Sequence, residues 1–275
     1  MTVARRANAL RTAVRRSAHR YRDAASEALD GGPNEIDQHH VGYDAQHQTR
    51  DLVGIGLYTP VEAGRLLRIA PAKIARWLRG HEANGKRYEP LWQPQVDLGE
   101  EGIFLGFRDL QEVRVASTFI AQGLSAQRVR QAIELARDLV GDARPLSTAR
   151  FRSDGRTVFL QVVEEDGQTK LIDLFRKQFA FRDILERSLT NLDYDEAGIP
   201  AVWWPLGRTK SVKIDPARSF GQPIEAETAV PVEALVTAVE AEGSPEAAAR
   251  VWDVPVRAVK RALAFQREMD ARHAA

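Results

Sequence analysis

The sequence contains no cysteine. That absence removes disulfides, thiolate zinc sites, iron–sulfur clusters and cysteine nucleophiles together. It also permits a reducing compartment, and a cytoplasmic chain is the expectation. Long apolar runs are missing too: no stretch approaches ~18 consecutive apolar residues, which excludes a transmembrane helix and leaves no membrane role expected. No serine nucleophile elbow, phosphate loop or His-Glu zinc helix occurs, and each is the local signature its chemistry needs. The acidic groups at Glu100-Glu101, Glu164-Glu165-Asp166 and Asp193-Tyr194-Asp195-Glu196 fall in expected turns or polar stretches. Nothing therefore sets two carboxylates on facing strand ends. The chain is not expected to be an enzyme, and neither a cofactor nor a metal is expected.

What is there is ordinary for a globular protein: 275 residues, 44% hydrophobic and 28% charged, with a net charge of +1 from 39 Lys and Arg against 38 Asp and Glu. The distribution of charge says more than its sum. Between Met1 and Arg22 stand Arg5, Arg6, Arg11, Arg15, Arg16, Arg20 and Arg22, with no acid. Val3, Ala7, Leu10, Val14, Ala18, Tyr21, Ala25 and Leu29 recur at steps of three or four, the spacing of one helical stripe. A basic amphipathic helix is the expectation, suited to an anionic partner. The same arginine-rich, acid-poor start also fits a transit peptide or a misassigned start codon. Residues 33–54 read as a polar linker. His39, His40, Asp44 and His47 lie in it, but no apolar frame would hold them as metal ligands.

Four segments follow from the pattern: 1–54, the basic helix and linker; 55–144; 145–208; and 209–275. In the second, Thr59-Pro60 is an N-cap with proline at the first helical position. A short helix is predicted with Val61, Ala63, Leu66 and Leu67 inward. Arg68-Ile69-Ala70 turns the chain, and Pro71 starts a second helix carrying Ile74, Trp77 and Leu78. This is a helix-turn-helix. Residues 81–106 suit a two-stranded wing with Lys86-Arg87 at its tip. A helix from Phe107 to Gln122 buries Leu110, Val113, Ala116, Phe119 and Ile120. Ser125 caps the next, with Val129, Ile133, Leu135 and Leu139 as its apolar positions.

For 145–208 the Asp154-Gly155 pair predicts a hairpin over Ala149 to Gln161, Leu160-Gln161-Val162-Val163 extends its second strand, and Asp166-Gly167 predicts a second turn over Glu164 to Gln168. Leu171 to Leu189 reads as helical. Pro200 and Pro205 confine residues 199–206 to a sheet edge. In the last segment two short strands, Val212-Lys213-Ile214 and the one entered through Phe220-Gly221-Gln222-Pro223-Ile224, precede three helices. These start at Pro231 (Leu235, Val236 and Val239 inward), Ser244-Pro245 (Ala247, Ala248 and Val251 inward) and Pro255 (Val256, Val259, Leu263 and Phe265 inward), and Trp252 and Phe265 are expected in the core. The fold class is mainly α with small β elements (α+β).

Leu57 to Gly80, with Tyr58-Thr59, Ala63, Leu66-Leu67, Pro71, Ile74 and Arg76-Trp77, resembles the first winged helix-turn-helix of the MerR superfamily. Phe107-Arg108-Asp109-Leu110 to Gly123-Leu124-Ser125 resembles its next helices. MerR regulators usually continue into a long dimerising coiled coil, whereas strands are expected here near Arg150. Val212 to Phe265 resembles the small antitoxin domain filed as domain of unknown function 433, through Ile214-Asp215-Pro216, Phe220-Gly221-Gln222-Pro223-Ile224, Val230-Pro231-Val232, Gly243-Ser244 and Val259, Arg261-Ala262-Leu263. Glu227-Thr228-Ala229 departs from a Gly-Thr-Arg-like run in those relatives. The combination is similar to VapB-type antitoxins. It implies a cognate PIN-like ribonuclease toxin as partner, operator DNA as a second partner, and autoregulation as a homodimer and repressor.

Candidate DNA contacts are Thr59, Ala72, Lys73, Arg76 and Arg79, the wing residues Lys86 and Arg87, and on the last helix Arg257, Lys260 and Arg261. The competing reading of each cluster is a solvated helix face or, for the last, dimer packing. Candidate toxin contacts, reached by elimination, are Phe179, Trp203, Trp204, Arg208 and Lys210, with Phe175 and Phe181 beside them. A small hydrophobic core explains those aromatics equally. The alternatives to an antitoxin are a MerR-like transcriptional regulator without a toxin and an interaction scaffold that binds no DNA.

Overall fold

A computed structural model describes residues 54–274 apart from 84, 98–101, 167–184 and 187. The chain divides into two units, Met1–Val53 and Gly54–Ala275. The expected basic helix, the polar linker with His39, His40, Asp44 and His47, and the aromatics Phe175, Phe179 and Phe181 lie outside the described residues.

Helix α1 (Pro60–Leu67) starts in a capping box: the Thr59 hydroxyl accepts from the Glu62 N–H while the Glu62 carboxylate reaches back to the Thr59 N–H. Arg68, left-handed at φ 59°, ends it. Helix α2 (Pro71–Arg79) buries Ile74, Trp77 and Leu78. Val61 points outward, 65% exposed, in place of the inward position its spacing predicted. With Ala63 and Gly64 as its buried residues, α1 seats on its second turn face and leaves Val61 on the opposite side. Ribbon β1 (His81–Ala83) and β2 (Lys86–Tyr88) is antiparallel, as is β3 (Val96–Asp97) with β4 (Ile103–Phe104), so the segment expected to form one two-stranded wing forms two separate short ribbons.

Helix α3 (Phe107–Ala121) is buried beyond its expected stripe, for Asp109, Gln111, Glu112 and Val115 are covered as well. Buried carboxylates need partners, and these organise the surrounding loops. Asp109 accepts from the Trp92 indole (3.1 Å), the Gln95 N–H (2.7 Å), the Gly106 N–H (3.0 Å) and Arg144 (2.7 Å). Glu112 accepts from the N–H of Leu146 and from the N–H and hydroxyl of Ser147. Helix α4 (Ala126–Val140) is capped by Ser125 as expected, but Ala132 and Ala136 join Val129 and Ile133 inward, while Leu139 is 37% exposed.

Helix α5 (Ala149–Asp166) replaces the expected hairpin and carries Glu164-Glu165-Asp166 as helix, not turn. Asp-Gly is a hairpin signal only when strands flank it. Here Phe151, Val158, Phe159 and Val162 recur at helical steps and are buried. Gly155 serves close packing, since a Cβ there would stand 2.5 Å from the Phe151 ring. Phe159 stacks on Phe119 with ring centroids 3.8 Å apart. Of the helix expected over 171–189, residues 185, 186, 188 and 189 are described as helical.

An antiparallel sheet of β5 (Leu192–Tyr194), β6 (Pro200–Trp203), β7 (Val212–Ile214) and β8 (Pro223–Glu225) follows in sequence order. Strand β6 is internal, against the expectation of an edge. Pro200 is tolerated because it is the first strand residue and sits at a register shift opposite Tyr194, and Pro205 lies past the strand end. Helices α6 (Val232–Glu242), α7 (Pro245–Val251) and α8 (Val256–Ala274) close the fold. Val232, Leu235, Ala248, Ala249, Val259, Ala262, Phe265 and Met269 form a second core with Val212, and Leu66 of α1 packs against it. Val251 (63%) and Trp252 (42%) are exposed, not core, because the short α7 turns its alanines inward. The architecture is mainly α with small sheets.

Candidate nucleic-acid interface

Burial of Ile74, Trp77 and Leu78 fixes the orientation of α2 and leaves Ala72, Arg76 and Arg79 exposed on its other side. The Lys73 ammonium lies 5.1 Å over the Trp77 ring, a cation–π contact that steadies it without neutralising it. Among the described residues no ion pair holds Lys73, Arg76 or Arg79. The first ribbon stands directly after α2. Its His81 and Tyr88 rings stack 4.8 Å apart, the Lys86 ammonium sits 5.6 Å from the Tyr88 ring, and exposed Arg87 meets Glu89 at 3.1 Å. The Leu91 N–H donates to the Trp77 carbonyl at 2.7 Å, tying the ribbon's return to α2. Thr59 stands apart from this surface, because its hydroxyl both accepts from and donates to Glu62 within the cap.

The C-terminal cations are arranged in the opposite way. Arg257 pairs with Glu227, Lys260 with Glu246 (3.1 Å), and Arg261 with both Glu225 (3.0 Å) and Glu227 (3.1 Å). Glu225 has no exposed surface, and its other oxygen accepts from the N–H of Glu227, the N–H of Thr228 and the Thr228 hydroxyl. The Arg257 hydrogen bond holds the Glu227 carboxyl below its ordinary range, and Lys260 does the same to Glu246. The acid that closes this face belongs to Glu227-Thr228-Ala229, the departure visible in the sequence.

In the central region Trp203 is 4% exposed and belongs to the core, with the Arg114 guanidinium 4.7 Å over its ring. Arg114 donates to Gln111 and to the Thr190 carbonyl, and burial pulls its pKa down to about 10. Trp204 is half-buried and donates its indole N–H to Asp193 at 2.9 Å. Arg208 pairs with the same carboxylate and lies 5.4 Å from the Trp204 ring. Partial burial raises the Asp193 pKa, but the Arg208 and Trp204 hydrogen bonds outweigh it and hold that carboxyl below its usual value. Lys210 is exposed.

Among the described residues no group of three or more His, Asp or Glu could hold a metal ion, and no helix is long and apolar enough to cross a membrane. An open groove of about 330 Å³ between residues 89–93 and α4 is lined by Trp92, Arg130, Glu134 and Arg137 among others, with charges of both signs.

No family model matches the chain. Over 184 residues, 62% of this chain and 77% of the other protein, it is 25% identical to a Mycobacterium tuberculosis (strain ATCC 25618 / H37Rv) protein named "Putative antitoxin VapB45". Among solved structures it is similar to the X-ray crystal structure of Rv2018 from Mycobacterium tuberculosis, with a TM-score of 0.56 and 22% identity, covering 77% of this chain and 99% of that one. That second likeness is one of fold.

Proposed function

We propose that this chain is the antitoxin of a type II toxin–antitoxin system, one that binds and neutralises a PIN-like endoribonuclease and represses its own operon. The similarity to the antitoxin-named mycobacterial protein, over 77% of that protein's length, carries the reading. The open cations of α2 support its DNA half. Residues 55–144 then act as a MerR-like winged helix-turn-helix, and 209–275 as the antitoxin-type domain. In this reading α2 lies in a major groove, Ala72 at its start faces base edges, and Arg76, Arg79 and Lys86 meet phosphates, while Arg87 is held by Glu89. Two copies on half-sites about 34–36 Å apart would supply enough contacts for a repressor. The toxin-facing surface is the part of the central region that reaches solvent, half-buried Trp204 with exposed Arg208 and Lys210. A nuclease of this class holds its metals with carboxylates, and a cation inserted there competes with the metal.

Co-expression with the adjacent gene tests the reading. The neighbour alone should arrest growth, the pair should restore it, and the two products should co-purify. A neighbour without toxicity favours a MerR-like regulator with no toxin. Failure of the chain to shift its own promoter, at any salt, favours a scaffold.

A further inference from the structure

We propose that Phe220 is the apolar anchor with which this chain grips its protein partner, an acidic-rimmed pocket on the toxin; the proposal rests on the antitoxin reading. The residue lies in the loop between Ile214 and Pro223, which face each other across β7 and β8. Ser219 (φ 47°), Phe220 (φ 53°) and Gly221 (φ 76°) are consecutive left-handed residues. L-residues resist that conformation because Cβ crowds the following carbonyl, and a bulky aromatic is a rare occupant of it.

The surroundings impose it nonetheless. The Leu57 N–H donates to the Phe220 carbonyl at 3.0 Å, and the buried Tyr58 hydroxyl donates to the Gly221 carbonyl at 2.7 Å. The Gly221 N–H closes on Arg218 at 2.9 Å, and the Gln222 N–H on Ser219 at 3.0 Å. Gly221 cannot be replaced cheaply, since a Cβ would come 2.3 Å from the Tyr58 oxygen. Phe220 has no such excuse: glycine or asparagine would serve the turn better. Nor does it belong to the core, for the residue is 58% exposed. A strained residue that folding does not need points to function, and a rigidly presented aromatic is the typical energetic centre of a protein interface.

The charge around it selects the partner. Residues 208–222 hold Arg208, Lys210, Lys213 and Arg218 against one acid, Asp215. Arg208 pairs with Asp193 and Arg218 with Asp215 (3.5 Å), which leaves Lys210 and Lys213 without an ion pair among the described residues. The segment that carries Phe220 thus keeps a net positive charge, through Lys210 and Lys213, that is complementary to carboxylates around an apolar pocket. Duplex DNA offers negative charge but no such pocket without unstacking its bases.

The test is calorimetric titration of the full chain with the ribonuclease encoded beside it, together with thermal melts. Phe220→Gly should raise Tm, by relieving the left-handed residue, and weaken toxin binding by about 100-fold, a hot-spot loss. Phe220→Ala should weaken binding comparably without that rise in Tm. Arg218→Glu should weaken it by about tenfold or more, through slower association. Toxin binding by Phe220→Gly within threefold of wild type overturns the anchor and leaves the antitoxin reading standing. A fall in Tm for Phe220→Gly overturns it by making the ring part of the fold. Loss of operator affinity with toxin affinity intact overturns it by assigning the ring to DNA. Absence of binding by the wild type sinks both readings.

Discussion

Two clusters of three cations, Lys73, Arg76 and Arg79 on α2 and Arg257, Lys260 and Arg261 in the first turns of α8, are held in opposite states. On α2, Lys73, Arg76 and Arg79 face outward with no acid paired to them among the described residues. On α8, Arg257, Lys260 and Arg261 are all in ion pairs with Glu225, Glu227 and Glu246. Counting basic residues therefore does not locate a nucleic-acid surface; the acids brought against them by the fold decide it. A cation already paired must give up its acid before it can neutralise a phosphate and release a counterion, so it contributes less. The difference divides the labour within the proposed function, with DNA at α2 and protein contacts or packing at α8.

The contrast can be broken at its most buried point. Glu225 accepts from Arg261 and from three donors of residues 227–228 while having no exposed surface. Glu225→Ala should cost about 3–5 kcal/mol in chemical denaturation, the usual penalty for breaking a buried pair.

A second buried carboxylate sharpens the comparison, because Glu112 lacks the direct guanidinium that Glu225 has. Burial drives its pKa from 4.5 to about 7, against the lowering influence of the Ser147 N–H and hydroxyl, Arg108 and Leu146. A folded pKa above the unfolded one means that the folded state retains a proton the unfolded chain has lost. Its stabilising contribution is full below pH 4.5 and falls away as pH rises to about 7. The total is about 3 kcal/mol, with the three donors aimed at the ionised form already counted in that shift. Glu112→Gln should flatten the pH dependence of Tm across that window.

A smaller effect is expected from opening the exposed part of the clamp. Glu227→Ala frees Arg257 without touching the core, so Tm should change little. Binding to unrelated duplex DNA at low salt should rise a few-fold, with a salt slope steeper by about 0.9 for the one phosphate gained.

Caps and helical periods made α1 to α4 and α6 to α8 legible in the sequence, because Thr59, Ser125 and Ser244 act locally and the apolar spacing needs no knowledge of neighbours. The α5 segment was not legible: Asp154-Gly155 is a turn signal whose outcome depends on whether Phe151 has a partner, and that partner, Phe159, lies in the same helix. Strand β6 was misjudged for a similar reason, since the harm a proline does depends on which strand end it occupies. The exposed face of α2 followed from its own periodicity. The closure of α8 did not, because Glu225 and Glu227 come from a strand and turn 30 to 36 residues away from the arginines they hold.

The most direct test is a fluorescence-anisotropy titration of operator DNA across 50–200 mM salt, the range over which phosphate contacts declare themselves, comparing Arg76→Ala/Arg79→Ala with Arg257→Ala/Lys260→Ala. The first pair should weaken binding by about 100-fold and reduce the salt slope by about 1.8, two contacts' worth, while the second stays within about threefold of wild type. Equal losses in both pairs, or a loss confined to the second, would contradict the division drawn here.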